Sequence, residues 1–195
     1  MKRFVFFLIL ILLLGPAVFS QQEGSMPAIE DNFFSIDPGF GITIPLGEYS
    51  AAFSLAYTPT VGAGYNLAFP WGVLGFGLST GCNIQPTSAE AAYQSIIFSI
   101  PAAAYVRYTT NLASRLFAFI EARGGIAVNI LHYRETYPDR SDYSSIKPYI
   151  DPAAGFGVQI TPWLNVSGCC GFMMIFYDDA VYMGITPGIR VGFDL

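Results

Sequence analysis

From Phe33 to the last residue, apolar and polar positions take turns along almost the whole chain. The alternation is cleanest at the end. Val181, Met183, Ile185, Pro187, Ile189, Val191, Phe193 and Leu195 share one face of an extended segment, and Gly184, Thr186, Gly188, Arg190, Gly192 and Asp194 share the other. A period of two is that of a β-strand with one apolar face. Seven earlier segments repeat it, at about 33–46, 54–69, 73–84, 96–109, 115–130, 149–160 and 164–177. The seventh is diluted, because Met173 and Ile175 fall on its polar face. With the last segment the count is eight, and no stretch between Phe33 and Leu195 shows a sustained helical period.

The connections alternate in kind. Pro70-Trp71-Gly72, residues 110–114 and Thr161-Pro162-Trp163 are short and rich in turn formers, whereas 47–53, 85–95 and 131–148 are longer and more polar. The last connection, 178–180, is again short. Short turns on one side and long loops on the other are the wiring of a transmembrane barrel. Volume decides which face looks outward. An eight-stranded barrel has an interior only just wide enough for side chains, so the bulky apolar face cannot point into it. Turned around, the apolar face becomes a belt against lipid, and closure satisfies every strand-edge amide within it. The expected fold is therefore all-β, an eight-stranded antiparallel up-and-down transmembrane β-barrel spanning 33–195.

Composition agrees with immersion in lipid. The chain is 53% hydrophobic and 12% charged, against about 25% charged in ordinary soluble domains. At the front, Lys2 and Arg3, the apolar run Phe4 to Leu14, Gly15-Pro16 and Val18-Phe19-Ser20 read as a signal peptide over 1–20, cleaved near Ser20. The eleven apolar residues of that run are well short of the roughly 20 a transmembrane helix needs. Residues 21–32 are a short polar lead-in. The expected location is the bacterial outer membrane. A net charge of −5 without a basic patch excludes nucleic acid as a partner.

The inward face carries its own charges, Asp37, Glu121 and Asp151 with Arg107, Arg123 and Arg190. Buried charges are expensive unless paired, so these six are expected to form a lumen charge network. Closure makes the first and last strands neighbours, which leads us to expect a direct Asp37–Arg190 contact at the seam. The large inward residues Tyr105, Arg107, Phe117, Phe119, Glu121 and Arg123 come from the fourth and fifth segments, while most other segments place glycine inward. That distribution predicts a lumen filled from one wall toward an open, glycine-lined one. Trp71 and Trp163 lie at short turns, where half-wet aromatic rings suit interface anchors.

The pattern resembles that of the small outer-membrane β-barrel domain proteins, of the OmpA, OmpX and OmpW type. The residues that carry the resemblance are Ile44-Pro45-Leu46-Gly47-Glu48-Tyr49 and Gly188-Ile189-Arg190-Val191-Gly192-Phe193-Asp194-Leu195. The latter looks like the C-terminal signal read by the outer-membrane assembly machinery, although it ends in Leu195 where an aromatic is usual. The resemblance implies outer-membrane lipid and that machinery as partners, and a role in envelope integrity, adhesion or minor transport.

Chemistry-bearing motifs are sparse. His132 is the only His, no thiolate spacing suits zinc, and no cofactor is indicated. His132 lies near Glu135, Asp139, Ser141 and Asp142 in the longest loop, which keeps a lipid-modifying enzyme as a third reading. Cys82, Cys169 and Cys170 read as small hydrophobes. The same loop carries Tyr133, Arg134, Tyr137, Arg140 and Tyr143, a mixture of aromatic anchors and charge that suits recognition of an extracellular partner. The first reading is a structural or surface-interaction barrel without catalysis. The second is a narrow channel or conduit for small or hydrophobic molecules.

Overall fold

The structure, a computed structural model, describes residues 32–47, 49–88, 94–133 and 142–195. The expected signal peptide, nearly all of the expected lead-in, and Arg134, Tyr137 and Arg140 lie outside the described residues. The strands are β1 (Phe33–Leu46), β2 (Ala56–Phe69), β3 (Gly72–Gly81), β4 (Asn83–Pro86), β5 (Ser95–Asn111), β6 (Leu116–Tyr133), β7 (Tyr143–Thr161), β8 (Leu164–Phe176) and β9 (Val181–Asp194). Each pairs antiparallel with its neighbours, and β1 pairs with both β2 and β9, so the sheet closes on itself. Phe34 and Leu195 exchange backbone hydrogen bonds of 3.1 and 2.7 Å at the end of that seam.

The predicted third strand is present as two collinear pieces. Thr60 pairs with Gly81 and Tyr57 with Ile84, so the register runs through the break at Cys82 without a slip. The physical cause is Pro59. Cys82 donates its N–H to the Pro59 carbonyl at 3.0 Å, but Pro59 has no N–H to return. Counting β3 and β4 as one line, the barrel has eight staves.

The alternation reads directly as outside and inside. Phe34, Ile36, Phe40, Ile42 and Ile44 of β1 are exposed, while Ser35, Asp37, Gly41 and Thr43 between them are buried. Exposed large apolar side chains recur around the whole wall, with Ile189 at 62% and Phe156 at 72% exposed. A closed sheet that buries its polar residues and displays its apolar ones is built for lipid.

One boundary differs from the expectation. Both ends of the loop predicted over 131–148 are strand, because β6 runs on to Tyr133 and β7 starts at Tyr143. This hairpin outreaches β8, whose outermost pair with β7 is Ile175 to Tyr149. The polarity that signals a loop in sequence here belongs to strand ends standing beyond the belt.

Candidate functional site: the lumen

Three layers fill the interior. In the middle, β1, β5, β6, β7 and β9 bring the six inward charges together. Glu121 is the hub, its side chain 0% exposed. Arg107 Nε donates to Glu121 Oε2 at 2.6 Å, Arg190 donates to the same oxygen at 3.0 Å, and Arg123 Nε donates to Oε1. Arg107 also reaches Asp37 at 2.8 Å, and Arg123 reaches Asp151 at 3.2 Å. The Tyr149 hydroxyl donates to Asp151 at 3.1 Å. Phe119 lies beneath two of the guanidiniums, 5.5 Å from that of Arg107 and 5.2 Å from that of Arg190, a cation–π arrangement.

The expected Asp37–Arg190 contact is replaced. Arg190 lies opposite Gly39, one diagonal step from Asp37, as a simple register requires. Its guanidinium nevertheless turns across the lumen to Glu121, and Asp37 takes Arg107. A bundle of long side chains in a narrow barrel is not restricted to adjacent strands. Glu121 gathers three guanidiniums at one point, which a seam pair would not.

The glycines are seats rather than an open wall. Tyr105 lies directly across from Gly77, Phe117 from Gly157 and Phe119 from Gly155. A Cβ on Gly77 would meet the Tyr105 ring at 2.6 Å, and one on Gly155 the Phe119 ring at 2.7 Å. Cross-strand aromatics covering glycines fill the lumen and pin the register.

Toward the long-loop end the lumen holds an apolar cluster beside the buried polar side chains Gln85, Ser99 and Asn129. Ala103, Ala127, Tyr149, Met173, Ile175 and Tyr182 form a buried cluster, and Tyr49, Phe53 and Tyr177 pack on it. The short helix α1 (Tyr49–Ala52) carries Tyr49 into the mouth, with Phe53 just after it. Gly47, at φ 67°, makes the sharp turn that only glycine takes cheaply. Ser88 holds α1 in place, its N–H 2.9 Å from the Ala52 carbonyl and its hydroxyl 3.0 Å from that of Ala51. Tyr49 and Phe53 meet the Tyr182 ring edge-on at 5.5 and 6.5 Å. Beneath the plug, hydroxyls link Thr186 to Thr43 at 2.8 Å and Thr43 to Thr58 at 2.9 Å, and Asn83 donates to Thr43. Sequence reasoning missed this plug, although Met173 and Ile175 on an otherwise polar face were its signal.

Toward the short turns the lumen opens into a cavity of about 70 Å³, lined by Ser35, Asn66, Phe117, Gln159, Asn165 and Asp194 among others. Trp71 and Trp163 are both exposed on this rim. Trp71 stacks on Phe69 at 4.8 Å, and its carbonyl accepts the Tyr108 hydroxyl at 2.8 Å. On the opposite rim, His132 Nδ1 and Asp142 are 2.8 Å apart, and Asp142 also accepts the Tyr133 N–H, an arrangement that holds its carboxyl below the usual range. Tyr143 beside them is exposed. Among the described residues no group of His, Cys, Asp and Glu could hold a metal ion.

Apolar exterior, closed antiparallel ring and polar lumen define the class: this chain has the fold of the small outer-membrane β-barrel proteins. Comparison of the sequence with protein-family models and with curated proteins finds no match. Among solved structures the chain is similar to Neisserial surface protein A, at 15% identity and a TM-score of 0.60, with 84% of this chain and 99% of that one covered. It is also similar to the outer membrane protein OprG from Pseudomonas aeruginosa, at 10% identity and a TM-score of 0.56, with 88% and 99% covered.

Proposed function

We propose that the mature protein is an integral barrel of the bacterial outer membrane with a structural or surface-interaction role and no catalysis. The observation that carries this reading is the lumen itself, in which a charge knot paired through Glu121 lies beneath an aromatic plug. Six side chains bridging five strands tie the wall together, and an ion crossing the lumen has to break that knot. On this reading Gly188 to Leu195 is what the assembly machinery recognises, Trp71 and Trp163 anchor the rim nearest the short turns, and Tyr143, with Tyr133, Arg134, Tyr137 and Arg140, faces an extracellular partner. Residues 1–20 direct secretion and are removed near Ser20. The outer-membrane names of the similar structures support the location.

The experiment is planar-bilayer conductance of the refolded mature protein, with silence expected. Steady single-channel steps would overturn the reading in favour of a narrow conduit, which the cavity at the short-turn end favours as the second reading. For a lipid-modifying enzyme the support among the described residues is the exposed His132–Asp142 pair, and Asp142 is also held by the Tyr133 N–H. Location is tested separately, by recovery of the heat-modifiable protein in the outer-membrane fraction.

A further inference from the structure

The cavity at the short-turn end has a chemistry that the charge knot does not consume. Four carboxylates, those of Asp37, Glu121, Asp151 and Asp194, face the lumen with three guanidiniums, those of Arg107, Arg123 and Arg190, and all three guanidiniums are bound to Glu121, two of them also to a second carboxylate. Asp194 takes only neutral partners among the described residues. Its Oδ2 accepts the side-chain amides of Gln159 at 3.3 Å and Asn165 at 3.2 Å. Over the lumen as a whole there is therefore one more carboxylate than guanidinium; the cavity itself is lined by Asp37 and Asp194 with Arg107 and Arg190, and both arginines are engaged by Glu121, which leaves Asp194 without an ionic partner of its own among the described residues.

Its walls are of two kinds. Ser35 Oγ accepts the Asn66 amide at 2.9 Å, so a hydroxyl and an amide stand together on one wall. Phe33, Val73, Phe117 and Phe119 supply apolar surface beside these polar groups. A carboxylate flanked by amides, hydroxyls and aromatic rings matches a cation with a short hydrocarbon body, because rings attract the cation and cover the alkyl chain together. At about 70 Å³ the space takes a few-carbon chain and excludes a large ligand.

We infer that the short-turn vestibule is a blind binding site for a small primary alkylammonium ion, with Asp194 as its counter-ion and Phe117 and Val73 against its alkyl chain. The ammonium sits at the Asp194 carboxylate, and the chain extends along the apolar wall. The charge knot ends the site, so the ligand enters and leaves by the same rim. This inference rests on the cavity and on Asp194, and it stands whether or not the barrel conducts.

The test is titration calorimetry of the full mature protein, refolded in detergent, with n-butylammonium chloride as probe and sodium chloride and tetramethylammonium chloride as controls. Butylammonium is expected to bind, and Asp194→Asn to weaken it by about tenfold, the loss of one charge-assisted contact. Val73→Phe fills the cavity while leaving every charge in place, and it is expected to abolish the binding heat. Heat-modifiable migration on a gel shows that each variant is folded. Butylammonium binding unchanged by Asp194→Asn and by Val73→Phe would overturn the inference, as would sodium binding as tightly as butylammonium. Absence of heat from the wild-type protein at saturating probe would overturn it too.

Discussion

The two ends of the lumen are built under the same alternation rule and come out as opposites. At the long-loop end the inward positions carry Met173, Ile175 and Tyr182 beside buried Gln85, Ser99 and Asn129, and Tyr49 of α1 packs on the Tyr182 ring. At the short-turn end the inward positions carry Asn66, Gln159, Asn165 and Asp194, and a cavity remains. Between them stands Glu121 with its three guanidiniums. Alternation therefore determines only that a side chain faces inward. Whether that inward space is dry, ionic or wet is decided by a handful of residues whose neighbours lie on distant strands.

The largest test of this division is at the hub. Glu121→Ala leaves three guanidiniums without their shared carboxylate, and breaking a buried pair costs about 3 to 5 kcal/mol. Urea unfolding of the variant measures it. A cost near that of a surface substitution would mean that the middle of the lumen is as wet as its short-turn end.

Next is the dry end. Ile175 is 2% exposed in the plug, and Ile175→Ala is expected to cost about 2 to 5 kcal/mol by loss of packing. A truncation of Phe117 at the wet end is expected to cost less by the same unfolding assay, because water enters the space it leaves. Equal costs would erase the distinction between the two ends.

The lipid face provides the third comparison. Ile189→Arg puts a charge into the belt at an expected cost of about 2 to 4 kcal/mol if the site is at the bilayer midplane. Replacing inward Thr186 with Arg meets hydroxyls instead of lipid. A smaller penalty at Ile189 than at Thr186 would reverse the assignment of faces.

Pairing within the knot is a finer matter. A double-mutant cycle between Arg190 and Glu121 should show coupling of about 0.5 to 3 kcal/mol, as groups in direct contact do. The cycle between Arg190 and Asp37 should give much less, since each has a different partner. Larger coupling for Arg190 with Asp37 would restore the seam contact.

The smallest effect is expected at the exposed clip on the outer rim. Asp142 has its carboxyl lowered by the hydrogen bond from His132 and by the Tyr133 N–H. A depressed carboxyl stabilises above its unfolded value of about 3.9 and loses that contribution as pH falls through the folded value. Hydrogen exchange at the Tyr133 amide should therefore quicken only below about pH 4, and Asp142→Asn should remove that dependence without changing global unfolding.

The strand count, the inward and outward faces, and the six inward charges were all legible along the chain, because a period of two survives in any antiparallel barrel and steric volume allows only one facing. The break at Cys82 was not, because Pro59, which cannot return a hydrogen bond, meets Cys82 only through the cross-strand register. The partners of those charges were not. Arg190 and Asp37 are diagonal neighbours across the seam, yet Arg190 goes to Glu121 on β6, a choice made among long side chains that meet at the barrel axis. The covering of Gly77, Gly155 and Gly157 by Tyr105, Phe119 and Phe117 likewise needs the cross-strand register, and the plug needs α1 to fold back over the mouth. Sequence by itself determined which residues enter the lumen, since that follows from local geometry repeated along each strand. Only the tertiary structure decided which of them touch, because contacts at the axis of a closed ring depend on all its strands at once.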